Sequence, residues 1–491
     1  MSDCVTGNCQ VPMPTEQSGD NMPAYQNAMN DFAALHMTID LLNRTENFEL
    51  IKTLFGKLEK DKIFPKNVMG YDLLCYAYYK AKEYKTAIKY GEFAVGAAGT
   101  PQEKMAVRYN IGKCYLNGNE PIKARNSFDM VSKMDPNKID VKLDLAAALY
   151  ACNQKEEAYE LLKVLEDESW RFDDRDALAI QFNLGAHEMR HGNFKTGMDY
   201  LSIGRKLRIW GSYTHRFPIP EWDGKTYEGK HILVVGEGGI GDEIINARFV
   251  KHVNDRGMKM SFASCQKLDS ILARLPFETT FNYQKFTTDI PQIMDFDFWT
   301  PAMNLPKVCG VDFDDLWYGA YLTVDPEYDA KWKEILPDTG KLKVGVRWSG
   351  NPLYEHDLHR SLPLTGLWEK IKDKGWDVYS IQRDYDLERL TEFPEIKPLH
   401  DHLETFEDAL ACIGNLDLVI TSCTSIAHAA AALGKKVIVF TPIMDYYIWS
   451  EGRTDSSWYG NNLRLARQTV PKSWKEPLDQ LDQLLEEVNN A

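Results

Sequence analysis

At 491 residues, with 44% hydrophobic and 26% charged side chains, the chain is too long for one core and reads as roughly two to four globular domains. Its formal net charge of −15 argues against a nucleic-acid backbone or an anionic membrane as main partner, because both need a basic footprint. It has no apolar run of about 18 residues and no apolar leader in Met1–Asp20, so neither a membrane span nor a secretory signal is expected.

Residues 1–25 are polar and carry Pro12, Pro14 and Pro23, the composition of a flexible tail. From 26 to 215 the pattern is helical, with a repeat of about 34 residues. In the clearest unit, Arg108–Pro136, Ile111, Gly112 and Tyr115 lie on the first helix and Ala124 and Phe128 on the second, with Pro136 closing the unit. Aligned neighbours offer Leu74, Cys75, Tyr78 and Ala87, then Leu145, Ala146, Leu149 and Ala158, then Leu184, Gly185 and Gly197. Small residues at these positions let paired helices approach, and aromatics fill the remaining gap. The pattern resembles the tetratricopeptide consensus and predicts an α-solenoid. Its concave side fits an acceptor protein or peptide. Self-association into a homo-oligomer and packing on the next domain stay open as alternatives. Nine scattered cysteines, most inside apolar patterns, read as buried thiols of a cytoplasmic protein.

Phe217–Gly229 is a Pro/Gly/Trp-rich connector. Strands then alternate with helices in two blocks, 216–338 and 339–491, separated by a break at Leu336–Lys341. The first block has strands at Ile232–Val235 and Met258–Ala263. The second has them near Lys343–Trp348, Trp376–Ile381, Asp417–Thr421, Lys436–Thr441 and Leu463–Ala466. Two successive α/β halves predict two Rossmann-like parallel sheets facing each other across a cleft.

The first strand runs into a glycine-rich turn with Gly236, Gly238, Gly239 and Gly241, and Asp242 and Glu243 open the helix that follows. Gly236, Gly238 and Gly241 satisfy the dinucleotide fingerprint, which also wants an acid about 20 residues on, at the end of the second strand. That strand ends in Ser264, Cys265 and Gln266, so an NAD(P)-dependent oxidoreductase is the weaker reading. A plain βα turn with solvated carboxylates is the bland alternative.

Two clusters follow in the second block. Val344–Pro363 leaves a strand into a polar loop carrying Arg347, His356, His359 and Arg360. Asp417–Gly434 combines a buried strand, a Thr-Ser-Cys-Thr-Ser turn and a small-residue helix. There the free N–H groups of a helix start and the hydroxyls of Thr424 and Ser425 converge, a geometry that holds phosphate without lysine or metal; simple N-capping is the alternative. His356, Asp357 and His359 have a spacing conceivable for a metal, but the expected reading is a solvated loop and no metal site.

Together these stretches, over about 190–491, resemble tetratricopeptide glycosyltransferases of the GT-B type, related to the ADP-heptose–lipopolysaccharide heptosyltransferases of glycosyltransferase family 9. More distantly they resemble protein O-GlcNAc transferase. The likeness rests on Gly239–Asp242 with Ala247-Arg248-Phe249, Trp348–Asn351 with Arg360–Pro363, Thr424–His428 with Ala432–Gly434, and Trp449 with Ser457–Gly460. The resemblance implies a helical-repeat region followed by a GT-B unit with its nucleotide-sugar side in 339–491. It implies an inverting, metal-independent transferase without a cofactor, using a nucleotide-diphosphate sugar as donor. By the same resemblance Asp242 is the general base. Arg360, where the family has lysine, neutralises the departing diphosphate with Thr424, Ser425 and the N–H groups leading to His428. Gly239, Gly241, Glu243 and Arg347 join the expected donor site, and His428 is expected to pack or touch phosphate rather than carry a proton. Cys423 departs from the family, which has an aspartate there for the donor sugar; Asp445 is the candidate substitute. Tyr446, Tyr447 and Trp449 read equally as a stacking surface or as aromatic core. The rival reading is a non-catalytic binding or scaffold protein, and the departure at Cys423 is what favours it.

Overall fold

The computed structural model describes residues 22–45, 47–61, 66–209, 211, 217–283, 295–312, 316, 319–352, 354 and 356–489. Most of the tail expected over 1–25 therefore lies outside the described residues. The chain divides into two compact units, with the division between Val164 and Leu165.

The first unit is helical: Met22–Arg44, Phe48–Lys60, Val68–Lys80, Tyr84–Ala97, Pro101–Asn117, Pro121–Met134, Ile139–Ala151 and the start of Lys155–Asp167. The sequence explains both ends and contacts of these helices. At the Pro101 helix, Thr100 caps the Glu103 N–H while Glu103 reaches back to the Thr100 N–H, a reciprocal box followed by proline at the first helical position. Gly112 is small because a Cβ there would lie 2.6 Å from the Phe128 ring, and Gly91 because one would lie 2.8 Å from Ile111. The helix pairs thus approach at the positions where the repeat places small residues, with aromatic and branched side chains filling the facing holes.

The second unit opens with one more such pair, Asp174–Arg190 and Phe194–Ser202. A Cβ at Gly185 or Gly197 would meet backbone nitrogen of the other helix at 2.8 Å. Two parallel sheets follow. In the first, β1 (His231–Val235), β2 (Lys259–Ser264), β3 (Thr280–Asn282) and β4 (Phe298–Pro301) lie in the order β3-β2-β1-β4. In the second, β5 (Lys343–Arg347), β6 (Asp377–Ser380), β7 (Lys397–Pro398), β8 (Leu418–Ser422), β9 (Lys436–Thr441) and β10 (Leu463–Arg467) lie in the order β10-β9-β8-β5-β6-β7. Each order reverses once, between β1 and β4 and between β5 and β8, and such reversals open a crevice beyond the carboxyl ends of the strands. The central strands read as unbroken apolar runs because both faces are covered. On β1, Ile232 and Val234 enter one core while Leu233 and Val235 enter another.

One hydrophobic core joins the two sheets. It runs from Phe182 and Met189 of the helix pair through Ile232, Ile244 and Phe262 to Val419, Ala429, Trp449 and Trp458. The Pro326–Ile335 helix, ahead of the sequence break, packs on the second-sheet side: Trp332 Nε1 donates to Asp408 Oδ1 at 3.3 Å and Lys331 Nζ pairs with the same carboxylate at 2.7 Å. At the centre the Ile240–Ala247 helix of the first sheet meets the Ser425–Ala432 helix of the second. Gly241 makes this approach feasible, since a Cβ there would lie 2.9 Å from His428 Cδ2 and 3.6 Å from Ser425 Cα. Among the described residues no helix is long and apolar enough to cross a membrane.

Gly241→Ala is expected to destabilise the second unit by about 1–3 kcal/mol, because His428 is stacked and cannot yield. Gly96→Ala, in a helix where a Cβ meets nothing within 4 Å, is expected to be neutral or to stabilise by up to about 1 kcal/mol. Thermal unfolding of the two variants checks the contrast.

Candidate active site

The turn after β1 is built around Glu243. Its carboxylate folds back under the glycines, where Oε2 accepts from Ser264 Oγ at 2.6 Å and Oε1 from the Cys265 and Gln266 N–H groups at 2.8 and 3.3 Å. Gly236 is obligatory here, because a Cβ would sit 2.1 Å from Glu243 Oε1. Glu243 is fully buried, and burial lifts its pKa from 4.5 to about 7. Sequence reading grouped it with donor-binding residues. In the structure its hydrogen bonds tie the first helix to the end of β2, and the bland picture of solvated carboxylates does not hold for it.

Asp242 points the other way. Its Oδ2 accepts from the Gly239 N–H at 2.7 Å, closing a cap over the helix start, and its Oδ1 accepts from the Tyr446 hydroxyl. Gly238, at φ +75°, and Gly239 are exposed beside it. Burial pushes the Asp242 pKa up, and the Tyr446 and Gly239 hydrogen bonds pull it back. A carboxylate has about four lone-pair positions, so one partner per oxygen leaves capacity for another hydroxyl donor.

Across Gly241 lies the start of the Ser425–Ala432 helix. Thr424 takes the N-cap position with extended backbone, but its side chain makes no capping bond; its hydroxyl lies 3.5 Å from that of Thr421. The first turn of this helix carries no acid. At the β5/β8 reversal, Arg347 is in register with Thr421. One Arg347 nitrogen donates to Ile381 O at 3.3 Å, while its buried Nε has no partner among the described residues. Burial, then the Arg360 charge, lowers the Arg347 pKa to about 10. Arg360 donates to Asp357 Oδ1 at 2.8 Å and to Cys423 O at 3.1 Å, and its guanidinium lies 4.4 Å from the Tyr354 ring centroid. Gly350 leaves room for that guanidinium, which a Cβ would meet at 2.2 Å.

His428 is a wall of the site. Its ring stacks on Trp449 at 5.3 Å and 5°, and Nδ1 lies 3.0 Å from the Tyr459 hydroxyl. Burial, then the Arg248 charge, lowers its pKa to about 3, so the ring is neutral at physiological pH. Arg248 itself is fully buried among Tyr321, Trp458 and Tyr459, with ring centroids 4.8 to 5.3 Å away. It donates to Ile245 O at 2.8 Å, to Trp458 O and to the Tyr321 hydroxyl at 3.2 Å, fastening the first helix to the loop that holds His428.

The structure therefore brings Gly239, Gly241, Asp242, Ser425 and His428 to one spot and sets Arg347, Arg360 and Thr424 along the adjoining strand ends. Asp445, the candidate substitute for the donor-sugar aspartate, is engaged in buried ion pairs, Oδ1 with Arg190 and Oδ2 with Arg467, each at 2.9 Å. His356, Asp357 and His359 are also buried rather than in a solvated loop, because Asp357 is drawn in by Arg360. Among the described residues no group of three His, Cys, Asp or Glu side chains is placed to hold a metal ion. Trp449 and Tyr447 are buried core. The roles of Tyr446, Arg248 and Arg190 escaped sequence reasoning. Arg248 lies inside the Ala247-Arg248-Phe249 motif, but periodicity carries no signal for pairings so far apart in the chain.

Glu243 generates a pH dependence. In the unfolded chain it titrates near 4.5 and in the folded chain near 7, so it remains protonated in the fold while the unfolded chain ionises. Stability accordingly falls as pH rises from about 4.5 to about 7 and levels off above. Glu243→Gln keeps an acceptor for the two N–H groups and an amide for Ser264, and is expected to flatten this slope. Urea midpoints at about pH 5 and about pH 8 for the two proteins check it.

No protein-family model matches the chain. Over 296 residues, 51% of this chain and 49% of the relative, it is 25% identical to protein FlbA of Caulobacter vibrioides. The chain thus spans about half the length of that curated relative. Among solved structures it is similar to Escherichia coli ADP-heptose lipopolysaccharide heptosyltransferase II, with 12% identity and a TM-score of 0.37, covering 53% of this chain and 100% of that one. A glycosyltransferase family 9 protein of Veillonella parvula gives 10% identity and a TM-score of 0.40, covering 54% and 99%. A mutant O-GlcNAc transferase of Thermobaculum terrenum gives 12% and 0.30, covering 86% and 92%.

Proposed function

We propose that the chain is a glycosyltransferase that moves a sugar from a nucleotide-diphosphate donor to an acceptor hydroxyl with inversion, without metal or cofactor. The observation that carries this reading is the pairing across Gly241. A half-buried carboxylate, Asp242, lies opposite a helix start that has no acid of its own and is flanked by Arg347 and Arg360. In this reading the acceptor O–H donates to Asp242, and its oxygen attacks the anomeric carbon on the face opposite the diphosphate. The proton passes to Asp242 as the new bond forms. The sugar–oxygen bond breaks, and the electron pair leaves on the diphosphate, whose charge is met by the Thr424–Ser425 helix start and the two guanidiniums. His428 is too weak a base to take the acceptor proton, because burial and the Arg248 charge lower its pKa to about 3. Helical repeats ahead of the sheets would recruit the acceptor protein or glycan.

A binding protein without catalysis is the second reading, favoured by the neutral Cys423 in the turn beside Arg360. The same variants separate the two. Nucleotide release from UDP-, GDP-, ADP- and CMP-sugars identifies the donor, and calorimetry measures its binding. Asp242→Asn is expected to leave donor binding intact and to cut transfer by at least about a hundredfold; full turnover in this variant would sink the base assignment. Arg360→Ala is expected to weaken nucleoside-diphosphate binding by about ten- to a hundredfold, the worth of charged hydrogen bonds to an anion. Unaltered affinity would place the diphosphate elsewhere.

A further inference from the structure

We infer that Tyr446 is a positioning residue for Asp242, holding the carboxylate by a hydrogen bond delivered from the opposite sheet. The inference rests on Asp242 being the base, as proposed above.

The geometry is specific. Asp242 opens the helix after β1, whereas Tyr446 follows β9, 204 residues later. The Tyr446 hydroxyl donates to Oδ1, and the Gly239 N–H holds Oδ2 at 2.7 Å. One donor on each oxygen holds the carboxylate at both ends, beside the exposed Gly238 and Gly239. Tyr446 is itself held in place. Its ring packs on Tyr447 with centroids 4.4 Å apart, its hydroxyl oxygen lies 3.3 Å from that of Tyr447, and the His428 ring closes the other side at 6.4 Å. Because donor and acceptor of the hydrogen bond sit on different sheets, the carboxylate is oriented only while the two sheets are together.

Titratable groups from several elements surround Asp242. From the segment after β9 come Tyr446 and Tyr447, and from its own helix comes Glu243, whose pKa the Asp242 charge helps raise. From the Ser425 helix comes His428, neutral. Glu237 of the turn, paired with Arg205 at 2.6 Å, acts on Tyr447. Burial raises the Asp242 pKa, and Tyr446 supplies the largest opposing effect. A phenol that donates to the ionised carboxylate keeps a buried acid available as a base near neutral pH.

Tyr446→Phe removes the hydroxyl and keeps the ring. In the full-length protein labelled with carboxyl-¹³C aspartate, the Asp242 signal is assigned by its loss in Asp242→Asn. Its titration midpoint is expected to move upward in Tyr446→Phe, while UDP and ADP binding measured by calorimetry stay as in the native protein. Replacing Tyr446 with 3,5-difluorotyrosine makes the phenol a stronger donor and is expected to move the midpoint downward, so a folding defect in the phenylalanine variant leaves the test standing. An unmoved midpoint in both overturns the inference. Failure of the base assignment is separate: it is read from turnover in Asp242→Asn, which the titration of Asp242 does not involve.

Discussion

The close approach of two helix starts at Gly241 is the constraint on which the site depends. Each start carries unpaired N–H groups and the positive end of its helix dipole, so bringing them together is electrostatically unfavourable unless each is met by negative charge. The first is met internally. Asp242 caps it from within its first turn. The second has no acid in its first turn and no side-chain cap from Thr424. Arg347 and Arg360 stand beside it; Arg360 is paired with Asp357, and the Arg347 Nε is buried without a partner among the described residues. In the proposed reading, an anionic ligand group is met on that second side, where Arg347 adds to the helix start.

Buried charges elsewhere in the second unit fix the geometry of this arrangement. Asp445 is clamped between Arg190, from the helix pair ahead of the sheets, and Arg467, at the end of β10. Glu237, in the glycine turn, takes both ends of the Arg205 guanidinium at 2.6 and 2.7 Å. Arg248 is solvated by carbonyls, a phenol and aromatic faces instead of by water. Such pairs add little net stability, since desolvation offsets most of the Coulomb attraction, but breaking one leaves a charge stranded. They therefore penalise any other seating of the two sheets far more than they reward this one. The helix pair Asp174–Arg190 and Phe194–Ser202, which shares the small-residue pattern of the repeats, joins the same hydrophobic core as the sheets.

Local chemistry was legible in the sequence, and distant pairing was not. The expected runs mark β1, β2, β5, β6, β8 and β9 within a residue or two of their ends, because central parallel strands are covered on both faces. Gly112, Gly185 and Gly197 announce close helix contacts because only a missing Cβ permits them. The edge strand β7, two exposed residues long, offers no such signal. Glu243 and Asp242 are adjacent and alike in sequence, yet one is buried under the turn and the other reaches the Tyr446 hydroxyl of the segment after β9. Nothing in their spacing distinguishes them, and the decision is made by the hydroxyl of Ser264 and two N–H groups at the end of β2. Asp445 looked like a ligand group because its partner Arg190 is 255 residues away. Burial of His356 and His359 likewise follows from Arg360 drawing in Asp357, a tertiary contact that no periodicity encodes.

Cys423 bears on the same charge balance. Its Sγ accepts from Trp449 Nε1 at 3.1 Å, its carbonyl accepts from Arg360, and burial raises the thiol pKa, so the residue is neutral. An aspartate at this position would place a second carboxylate beside the Arg360 guanidinium, which already pairs with Asp357. Its charge would draw on the positive potential that Arg347 and the Ser425 helix start otherwise present to a ligand. With cysteine, that potential stays available, while a carboxylate able to accept hydrogen bonds from sugar hydroxyls is lost from the turn. In the proposed reading, the turn therefore meets the anionic part of a donor and offers no carboxylate to sugar hydroxyls.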